Sequence, residues 1–289
     1  MAVCLHSLTG VLSPPCAQAA NDRLLFWEVE LPAAQVYLLG SMHLASADVY
    51  PLRAGIMQAW EASDRLVVEL DISGPRALDI QAAMLARGRY PQGQRLSDEL
   101  KPETWQALRQ RLADNGLPPE VMQALRPGLV VTTLSAMEMM KLGLDPERGI
   151  DRYFLQLAHE SKPILELETL EQQLDVVLDT ADPELLVTQT LDQLGELESI
   201  MASLVDSWKR GDASALNRLV LEEPLETHPE YADLQKRMFD DRNQTMTERL
   251  MELQASGGTL FVVVGAGHLV GDKGIIALLR QRGFQPQPR

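Results

Sequence analysis

Two histidines stand in the same short pattern near opposite ends of this 289-residue sequence. In each case an apolar, strand-like run leads into Gly-x-x-His-Leu, which contains His43 at residues 40–44 and His268 at residues 265–269. An imidazole at a strand end can bind a metal or act as a general acid or base. Because ligands of open α/β sheets bind at the carboxyl ends of strands, the repetition predicts one site built from both chain ends. The alternative is that both histidines only form hydrogen bonds there.

Glycines accompany both histidines. Gly40 begins the first pattern, and Gly265 and Gly267 lie in the second. Without a Cβ atom, glycine lets the backbone turn sharply and approach a ligand closely. We therefore predict that these three glycines line the place where a metal or another cofactor binds.

A carboxylate interrupts the apolar run at residues 66–70, which is predicted to be the next strand. Glu69 is costly to bury there unless it is paired, protonated or bound to a metal. His43, His268 and Glu69 together form a His₂-carboxylate set, which is typical of catalytic metal centres with positions open to water. A metal held there would lower the pKa of a bound water and polarise a carbonyl group. The alternative is that Glu69 faces solvent.

Two further charged residues are candidates for the same site. Glu168 alternates with leucines at residues 163–168, so it is either a second catalytic carboxylate or exposed to solvent on one strand face with Glu166. Arg242 lies on a helix that leads to the second histidine, where it would clamp a carboxylate or stabilise an oxyanion. Its alternative is a surface ion pair with an adjacent aspartate. Either Glu69 or Glu168 would act as the base on a bound water.

Three other polar residues are interpreted as structural or solvated. Asp151 stands at a predicted helix start, where an acidic side chain favours the first turn, so we interpret it as a capping residue. His159 has no second histidine at helical spacing, which argues against an H-E-x-x-H zinc site. His228 lies in an acidic loop that contains proline and is predicted to be solvated.

The same order of elements, strand–GxxHL–helix–strand, surrounds both histidines. We expect these two units to pair as pseudo-equivalent halves of one sheet. The region between them has mainly helical periodicity. The predicted elements include a hairpin at residues 24–30 and 35–39, a helix at 51–62, a strand at 64–72, a strand at 163–168, helices at 182–210, 230–255 and 273–282, and a short strand that begins at 283–285.

These patterns predict an α/β fold with a central mixed sheet. We expect a single domain at residues 20–289, with a large helical insertion at about residues 75–255, because no flexible linker separates the two. After residue 20, no apolar run is long enough to span a membrane.

The charge of the chain excludes some classes of partner. Its formal net charge is −15 at pH 7. Nonspecific nucleic-acid binding requires Lys and Arg that neutralise phosphate, so this class of function is disfavoured. Docking to an anionic membrane surface is disfavoured for the same reason.

The N-terminal residues have a different composition. Residues 1–21 contain no charged side chain, and Ala17-Gln18-Ala19 fits the Ala-x-Ala-like cleavage pattern of a secretory signal peptide. We interpret residues 1–19 as a signal-peptide remnant and predict a periplasmic or secreted protein. Cleavage there would remove Cys4 and Cys16, the only cysteines of the chain. The alternative is a tail that targets nothing.

Several short motifs lie in a characteristic order over about residues 24–285. They are the Gly-x-x-His patterns at His43 and His268, Val68-Glu69-Leu70-Asp71, Gly149-Ile150-Asp151, Leu167-Glu168-Thr169 followed by Gln172 or Gln173, and Arg242-Asn243. In this order they resemble the motifs of the TraB/GumN family, which also includes the Tiki metalloproteases.

The resemblance implies an α/β fold like that of the erythromycin esterases and the ChaN haem-binding proteins. It implies a site that contains both histidines, Glu69 and Arg242. For the Tiki branch it implies metal-dependent hydrolysis of peptide bonds with manganese- or cobalt-type ions, and zinc is a further possibility. Bacterial GumN-like members are mostly exported.

Together these observations predict an exported, metal-dependent hydrolase that acts on a peptide or a small molecule. His43, His268 and Glu69 would hold the metal. Two alternatives stay open. One is a non-catalytic protein that binds haem, a metal or a peptide, and the other is a metal-free hydrolase in which a histidine is the base and Glu69 orients it.

Overall fold

Six strands form one mixed sheet at the centre of the fold. The computed structural model describes residues 22–74, 76–159 and 161–289. The strands are β1 (Phe26–Glu30), β2 (Ala34–Ser41), β3 (Arg65–Val68), β4 (Ile164–Glu166), β5 (Gly258–Gly265) and β6 (Gln287–Pro288). Their order in the sheet is β4-β3-β5-β2-β1-β6. The first four in this order run parallel, whereas β1 is antiparallel to β2 and β6.

The two predicted repeat units meet in the middle of this sheet. β2 and β5 pair in parallel from Ala34 opposite Gly258 to Ser41 opposite Gly265. The predicted hairpin is formed by β1 and β2. The predicted α/β class and mixed sheet are therefore confirmed, whereas the closer likeness to erythromycin esterases and ChaN stays a prediction.

Most of the remaining chain is helical. The helices are α1 (Ala54–Ala62), α2 (Arg76–Arg87), α3 (Pro102–Asp114), α4 (Pro119–Met122), α5 (Pro127–Lys141), α6 (Ile150–Ala158), α7 (Leu170–Leu178), α8 (Pro183–Gly195), α9 (Leu197–Arg210), α10 (Ala213–Asn217), α11 (Glu223–Thr227), α12 (Ala232–Gln235), α13 (Asp241–Leu253) and α14 (Ile275–Gln281). The region between β3 and β5 thus has the helical character predicted for it, and its own core includes Leu108, Leu112 and Leu134.

Aromatic packing fixes α1 and α6 against the sheet. Phe261 of β5 lies with its ring centroid 5.6 Å from that of Trp60 in α1 and 4.7 Å from that of Phe154 in α6. Phe154 and Phe261 are fully buried. Burial of each such side chain contributes about 2–3 kcal/mol to stability. This packing holds the start of α6 near the carboxyl end of β2.

The carboxyl ends of the four parallel strands meet at one edge of the sheet. His43 follows β2, Glu69 follows β3, Glu168 follows β4 and His268 follows β5. Because parallel strands all point the same way, one sheet edge receives a side chain from each of them. The topology therefore brings together residues that are far apart in the sequence.

The structure divides two of the predicted helices. The helix predicted at 182–210 consists of α8 and α9, which meet at Gly195 and Glu196, where glycine disfavours helical continuation. The helix predicted at 230–255 is interrupted by a π-helical turn at Lys236–Asp240. The interruption lies immediately before Arg242.

Some predicted strands are shorter than expected. The strand predicted at 64–72 ends at Val68, because Asp71 accepts hydrogen bonds from the amide and hydroxyl of Ser73 and closes a turn. The last strand is Gln287–Pro288 rather than residues 283–285. Gly283 instead has a φ of 89°, a conformation that suits the end of a helix.

The predicted signal-peptide remnant at residues 1–19, with Cys4 and Cys16, lies outside the described residues. Within the ranges that the structure does describe, no helix combines the length and the apolar character needed to cross a bilayer.

Candidate active site

His43 is held by a carboxylate from α6. Its Nδ1 lies 2.9 Å from Asp151 Oδ2, and the other carboxylate oxygen accepts a 2.6 Å hydrogen bond from the Ser41 hydroxyl. The amide of Ile150 donates to the Met42 carbonyl at 3.0 Å, so the first turn of α6 lies against the histidine loop. Asp151 is in the first turn as predicted, but the capping interpretation is wrong, because its carboxylate binds these two side chains.

A glycine allows this close approach. A Cβ atom on Gly149 would lie 2.3 Å from the carbonyl oxygen of His43, which is far inside van der Waals contact. The backbone therefore passes directly over the loop that presents His43. The imidazole itself is 63% exposed, with Nε2 on the side away from Asp151.

The negative charge of the adjacent Asp151 carboxylate raises the pKa of His43 to about 9. The folded protein therefore binds this proton more tightly than the unfolded chain does. The stabilisation by the His43–Asp151 pair is complete below the ordinary histidine pKa of 6.5 and is lost as the pH rises through about 9.

We expect the difference in free energy of unfolding between the wild type and Asp151→Asn to shrink over that pH interval. Urea titrations in EDTA at several pH values measure it. Asp206→Asn, which removes a surface partner of Arg210, is the control and should show no such trend, because this ion pair contains no histidine. A constant difference for Asp151→Asn across the interval would contradict the prediction.

Asn243 fixes the orientation and tautomer of His268. The Asn243 amide group donates to the Lys273 carbonyl at 3.0 Å, so its oxygen faces His268 Nδ1 at 2.6 Å. Nδ1 must therefore carry the hydrogen, and the lone pair of Nε2 is free. Burial is the main cause that lowers the pKa of His268 to about 4, so the ring is neutral at pH 7.

Glu69 follows β3, which lies in the sheet between β4 and β5. Its Oε1 accepts a 2.6 Å hydrogen bond from the Gly265 amide and lies 3.9 Å from His268 Nε2. Its Oε2 accepts a 2.8 Å hydrogen bond from Arg242. Burial alone would raise its pKa, but His268, His43 and Arg242 outweigh burial and lower the pKa to about 2. The solvent-facing alternative for Glu69 is wrong, because only 8% of the residue is exposed.

Arg242 joins the two candidate carboxylates. Its Nε and Nη2 donate to the two oxygens of Glu168 at 2.8 and 2.6 Å, and Nη2 also donates to Glu69. Gln173 adds a 3.1 Å hydrogen bond to Glu168. Despite the opposing effect of burial, the two carboxylates raise the pKa of Arg242. Arg242 is thus a permanent, buried cation at the site.

The alternatives of a surface ion pair for Arg242 and of solvent exposure for Glu168 are both wrong. Asp240 pairs with Lys273, and Asp241 pairs with Lys236, so neither aspartate is the partner of Arg242. Glu168 is only 4% exposed. Glu166, in contrast, is half-buried and pairs with Arg76 at 2.9 Å. The two glutamates therefore differ in environment, because the chain bends after β4 and turns Glu168 towards Arg242.

Gly265 marks the point where the three predicted metal ligands converge. A Cβ atom on this residue would lie 3.3 Å from Glu69 Oε1, 3.4 Å from His268 Cδ2 and 3.6 Å from His43 Nε2. The three side chains thus surround one small volume at the sheet edge. Any side chain at position 265 would enter that volume.

The other two predicted glycines have packing roles. A Cβ on Gly40 would lie 3.0 Å from the Leu25 Cβ and 3.2 Å from the backbone of Ala266, so Gly40 lets two chain segments touch. A Cβ on Gly267 would lie 2.7 Å from the Phe239 ring. Phe239 belongs to the π-helical turn before Arg242, and such turns are frequent at functional sites.

The three side chains at this volume are of the kinds that ligate divalent cations. Two imidazole nitrogens and one carboxylate oxygen make a usual catalytic set. Within the described parts of the chain, no group of three or more His, Cys, Asp or Glu side chains is placed so that it could hold a metal ion. The hydrogen bonds of Glu69 to Gly265 and Arg242 account for its present position.

Sequence reasoning missed two supporting residues. Asp151 was interpreted as a cap, and Asn243 was given no role of its own. Each binds the Nδ1 of one histidine and so fixes the direction of the other ring nitrogen. Their places in Gly149-Ile150-Asp151 and Arg242-Asn243 were the available signal, since both motifs carry the family resemblance.

Comparisons with known proteins agree with this resemblance. The uncharacterized protein YbaP of Escherichia coli (strain K12) is 27% identical over 256 residues, which cover 88% of this chain and 91% of YbaP. An uncharacterized protein of Treponema pallidum (strain Nichols) is 24% identical over 280 residues, which cover 91% of this chain and 82% of that protein. No solved structure matches the sequence. The profile of the TraB/PrgY/gumN family matches residues 25–288, both Gly-x-x-His patterns included, and the chain therefore belongs to this family.

Proposed function

We propose that this protein is a metal-dependent hydrolase, and specifically a peptidase. The observation that carries the proposal is the matched orientation of the two histidines. Each imidazole donates its Nδ1 hydrogen to a separate oxygen acceptor, Asp151 or Asn243, and its other nitrogen belongs to the volume beside Glu69. Histidines that ligate metals almost always have such a partner, because it fixes the tautomer and raises the basicity of the ligating nitrogen.

His43, His268 and Glu69 would hold the metal, with manganese or cobalt as the proposed ion and zinc as the alternative. A divalent ion bound there would lower the pKa of a water and polarise the carbonyl that is attacked. Glu69 rather than Glu168 is the proposed carboxylate ligand, because its Oε1 faces the histidines. Both oxygens of Glu168 are held by Arg242, so Glu168 instead fixes the position of that arginine.

Arg242 would stabilise charge that develops during hydrolysis. Its side chain is 14% exposed, and Nη2 lies 2.8 Å from Glu69, so it places a positive charge beside the proposed metal ligand. A preorganised cation in a poorly solvated site acts more strongly on a developing oxyanion than the same cation in water.

The first test is metal binding. We expect the purified full chain, incubated separately with Mn²⁺, Co²⁺ or Zn²⁺ and desalted, to retain one of these ions at one per molecule by mass spectrometry. His43→Ala and His268→Ala should each weaken binding by about tenfold or more, with an unchanged circular dichroism spectrum. His228→Ala is the matched control, because the half-buried His228 pairs with Glu230 and stacks on Tyr231, and neither contact involves the proposed ligands. Retention of the ion by both site variants would overturn the proposed site.

A second candidate function is hydrolysis without a metal. The exposed His43 imidazole and its Asp151 partner form an oriented acid–base pair, which favours this candidate. Hydrolysis of a quenched peptide library that persists in EDTA and in His268→Ala would select it. If the library is not cleaved and added haem gives a Soret band that His43→Ala removes, the protein is instead a binding protein.

We also propose that the protein is exported. The support is the uncharged sequence at residues 1–21 with the Ala-x-Ala-like pattern at 17–19. Mass spectrometry of the protein from its native cell would show a mature chain that begins near residue 20. Retention of residues 1–19 would rule out this cleavage.

A further inference from the structure

The β4 strand forms an open edge of the sheet beside the candidate active site. Among the residues that the structure describes, β4 is the last strand on this side. The Leu66 amide of β3 donates to the Pro163 carbonyl, and the Leu167 amide donates to the Val68 carbonyl of β3. Pro163 and Leu167, which flank β4, therefore form their backbone hydrogen bonds towards β3. Because bonding alternates along a parallel strand, the backbone groups of Ile164 and Glu166 point away from β3. A strand with such groups unpaired is a template for another extended chain.

A cavity of about 550 Å³ runs along this edge. We call it the β4 groove, and it lies between β4 and the outer face of α13, which supplies Thr245, Glu248, Arg249 and Glu252. Among the described residues, the Glu166 carbonyl has one outward partner, Arg249 Nε, at a long 3.4 Å. The groove therefore leaves room for a further strand.

The groove ends at the candidate active site. Glu168 lines the groove and also holds Arg242, which contacts Glu69. A chain that lies along β4 would therefore reach the sheet edge where the histidines converge. The β4 groove, which could pair with a peptide backbone, is therefore continuous with the site proposed to cleave one.

The charge of the groove favours a basic occupant. Its lining contains five carboxylates, at Asp71, Glu166, Glu168, Glu248 and Glu252, and two guanidiniums, at Arg76 and Arg249. Glu166, Glu168 and Glu252 pair with Arg76, Arg242 and Arg249, so Asp71 and Glu248 carry the excess negative charge. Glu248 and Glu252 are both exposed on the rim. The excess of negative charge would attract lysine or arginine side chains and repel acidic ones.

Building on the proposed function, we propose that the β4 groove binds the substrate as an extended, lysine- or arginine-containing peptide that pairs with the outer edge of β4. Backbone hydrogen bonds to Ile164 and Glu166 would hold the peptide in register, as in other complexes that add a strand to a sheet. Carboxylates on the α13 side, at Glu248 and Glu252, would select basic side chains. The peptide would extend past Glu168 to the site beside Gly265.

The test is peptide binding without cleavage. The probe is a fluorescent octapeptide, Thr-Lys-Val-Lys-Thr-Lys-Val-Lys, titrated with the full chain in EDTA and followed by fluorescence anisotropy. Two further forms of the peptide carry methyl groups on backbone amide nitrogens. One is methylated at every Lys residue, and the other is methylated at every Thr and Val residue. We expect one methylated form to bind about tenfold more weakly or worse, because it lacks the hydrogen bonds to β4. Equal affinity for all three forms would overturn pairing with the strand.

Charge selection is tested in the same assay. Glu248→Lys with Glu252→Lys should weaken binding of the plain peptide by about tenfold. The control is Glu103→Lys with Asp114→Lys on α3, which changes the net charge equally and should leave affinity unchanged. An equal loss in both double variants would show attraction to the whole acidic protein and would refute selection by the groove.

The two proposals can fail separately. Peptide binding in EDTA by a protein that retains no divalent ion would support the groove and reject the metal-dependent function. A protein that retains the ion but binds none of the peptides would keep the metal site and reject the groove.

Discussion

Arg242→Met is expected to lower the free energy of unfolding by about 3–5 kcal/mol, because it leaves two buried carboxylates without their cation. Glu69 and Glu168 are 8% and 4% exposed, and Arg242 donates three hydrogen bonds to them. Methionine keeps much of the length of the side chain but none of its charge. Urea denaturation at pH 7 in EDTA measures the change.

Two comparisons separate the loss of the ion pair from other effects. Arg210→Met removes a surface pair with Asp206 and should change stability by no more than about 1 kcal/mol. Glu168→Gln in the Arg242→Met background should recover part of the loss, since it removes one unpaired charge. A loss below about 1 kcal/mol in Arg242→Met would mean that water reaches the carboxylates and that the network is not dry.

Asn243→Leu is expected to weaken metal binding by about 10- to 100-fold while His268 itself remains. Leucine has a similar volume but cannot accept the hydrogen of His268 Nδ1, so the ring loses its fixed tautomer. Asn243 is 1% exposed, and its loss also leaves the Lys273 carbonyl without this donor. Isothermal titration with the ion that the wild type retains gives the affinities.

The matched control for this prediction lies on the same helix. Thr247→Val removes a buried hydroxyl that donates to the Asn243 carbonyl, but it leaves the contact with His268 intact. Its metal affinity should equal that of the wild type. Asn243→Asp keeps an acceptor for Nδ1 and should recover affinity relative to leucine. If the Asn243→Leu and Asn243→Asp variants bind the ion with equal affinity, Asn243 does not position His268.

The repeated Gly-x-x-His pattern was the most useful part of the sequence. Because each copy follows an apolar run, the pattern indicated two parallel strands whose ends carry histidine, and β2 and β5 do pair directly. Glu69 could be placed on the next strand by the same reasoning. The cost of burying a charge then indicated that it needs a partner, which the structure identifies as Arg242.

Other features depend on tertiary packing that periodicity does not encode. The position of Asp151 beside His43 follows from the way α6 packs on Phe261 and from the contact at Gly149, and neither can be read from local sequence. The π-helical turn at Lys236–Asp240 has ordinary helical composition. The place of β4 at the end of the sheet is likewise a choice of topology, although its short run with Pro163 and Glu166 is compatible with an edge strand.

The central place of β5 has a consequence for the way the protein is made. β5 is synthesised after β1, β2, β3 and β4, yet it lies between β3 and β2 and pairs with both. A growing chain that has not reached Gly258 has a hairpin on one side and β3 with β4 on the other, with no strand to join them. The two histidines then cannot meet, so a nascent or truncated chain holds no complete site. Folding of the sheet and assembly of the chemistry are therefore one event, which must wait until β5 has been synthesised.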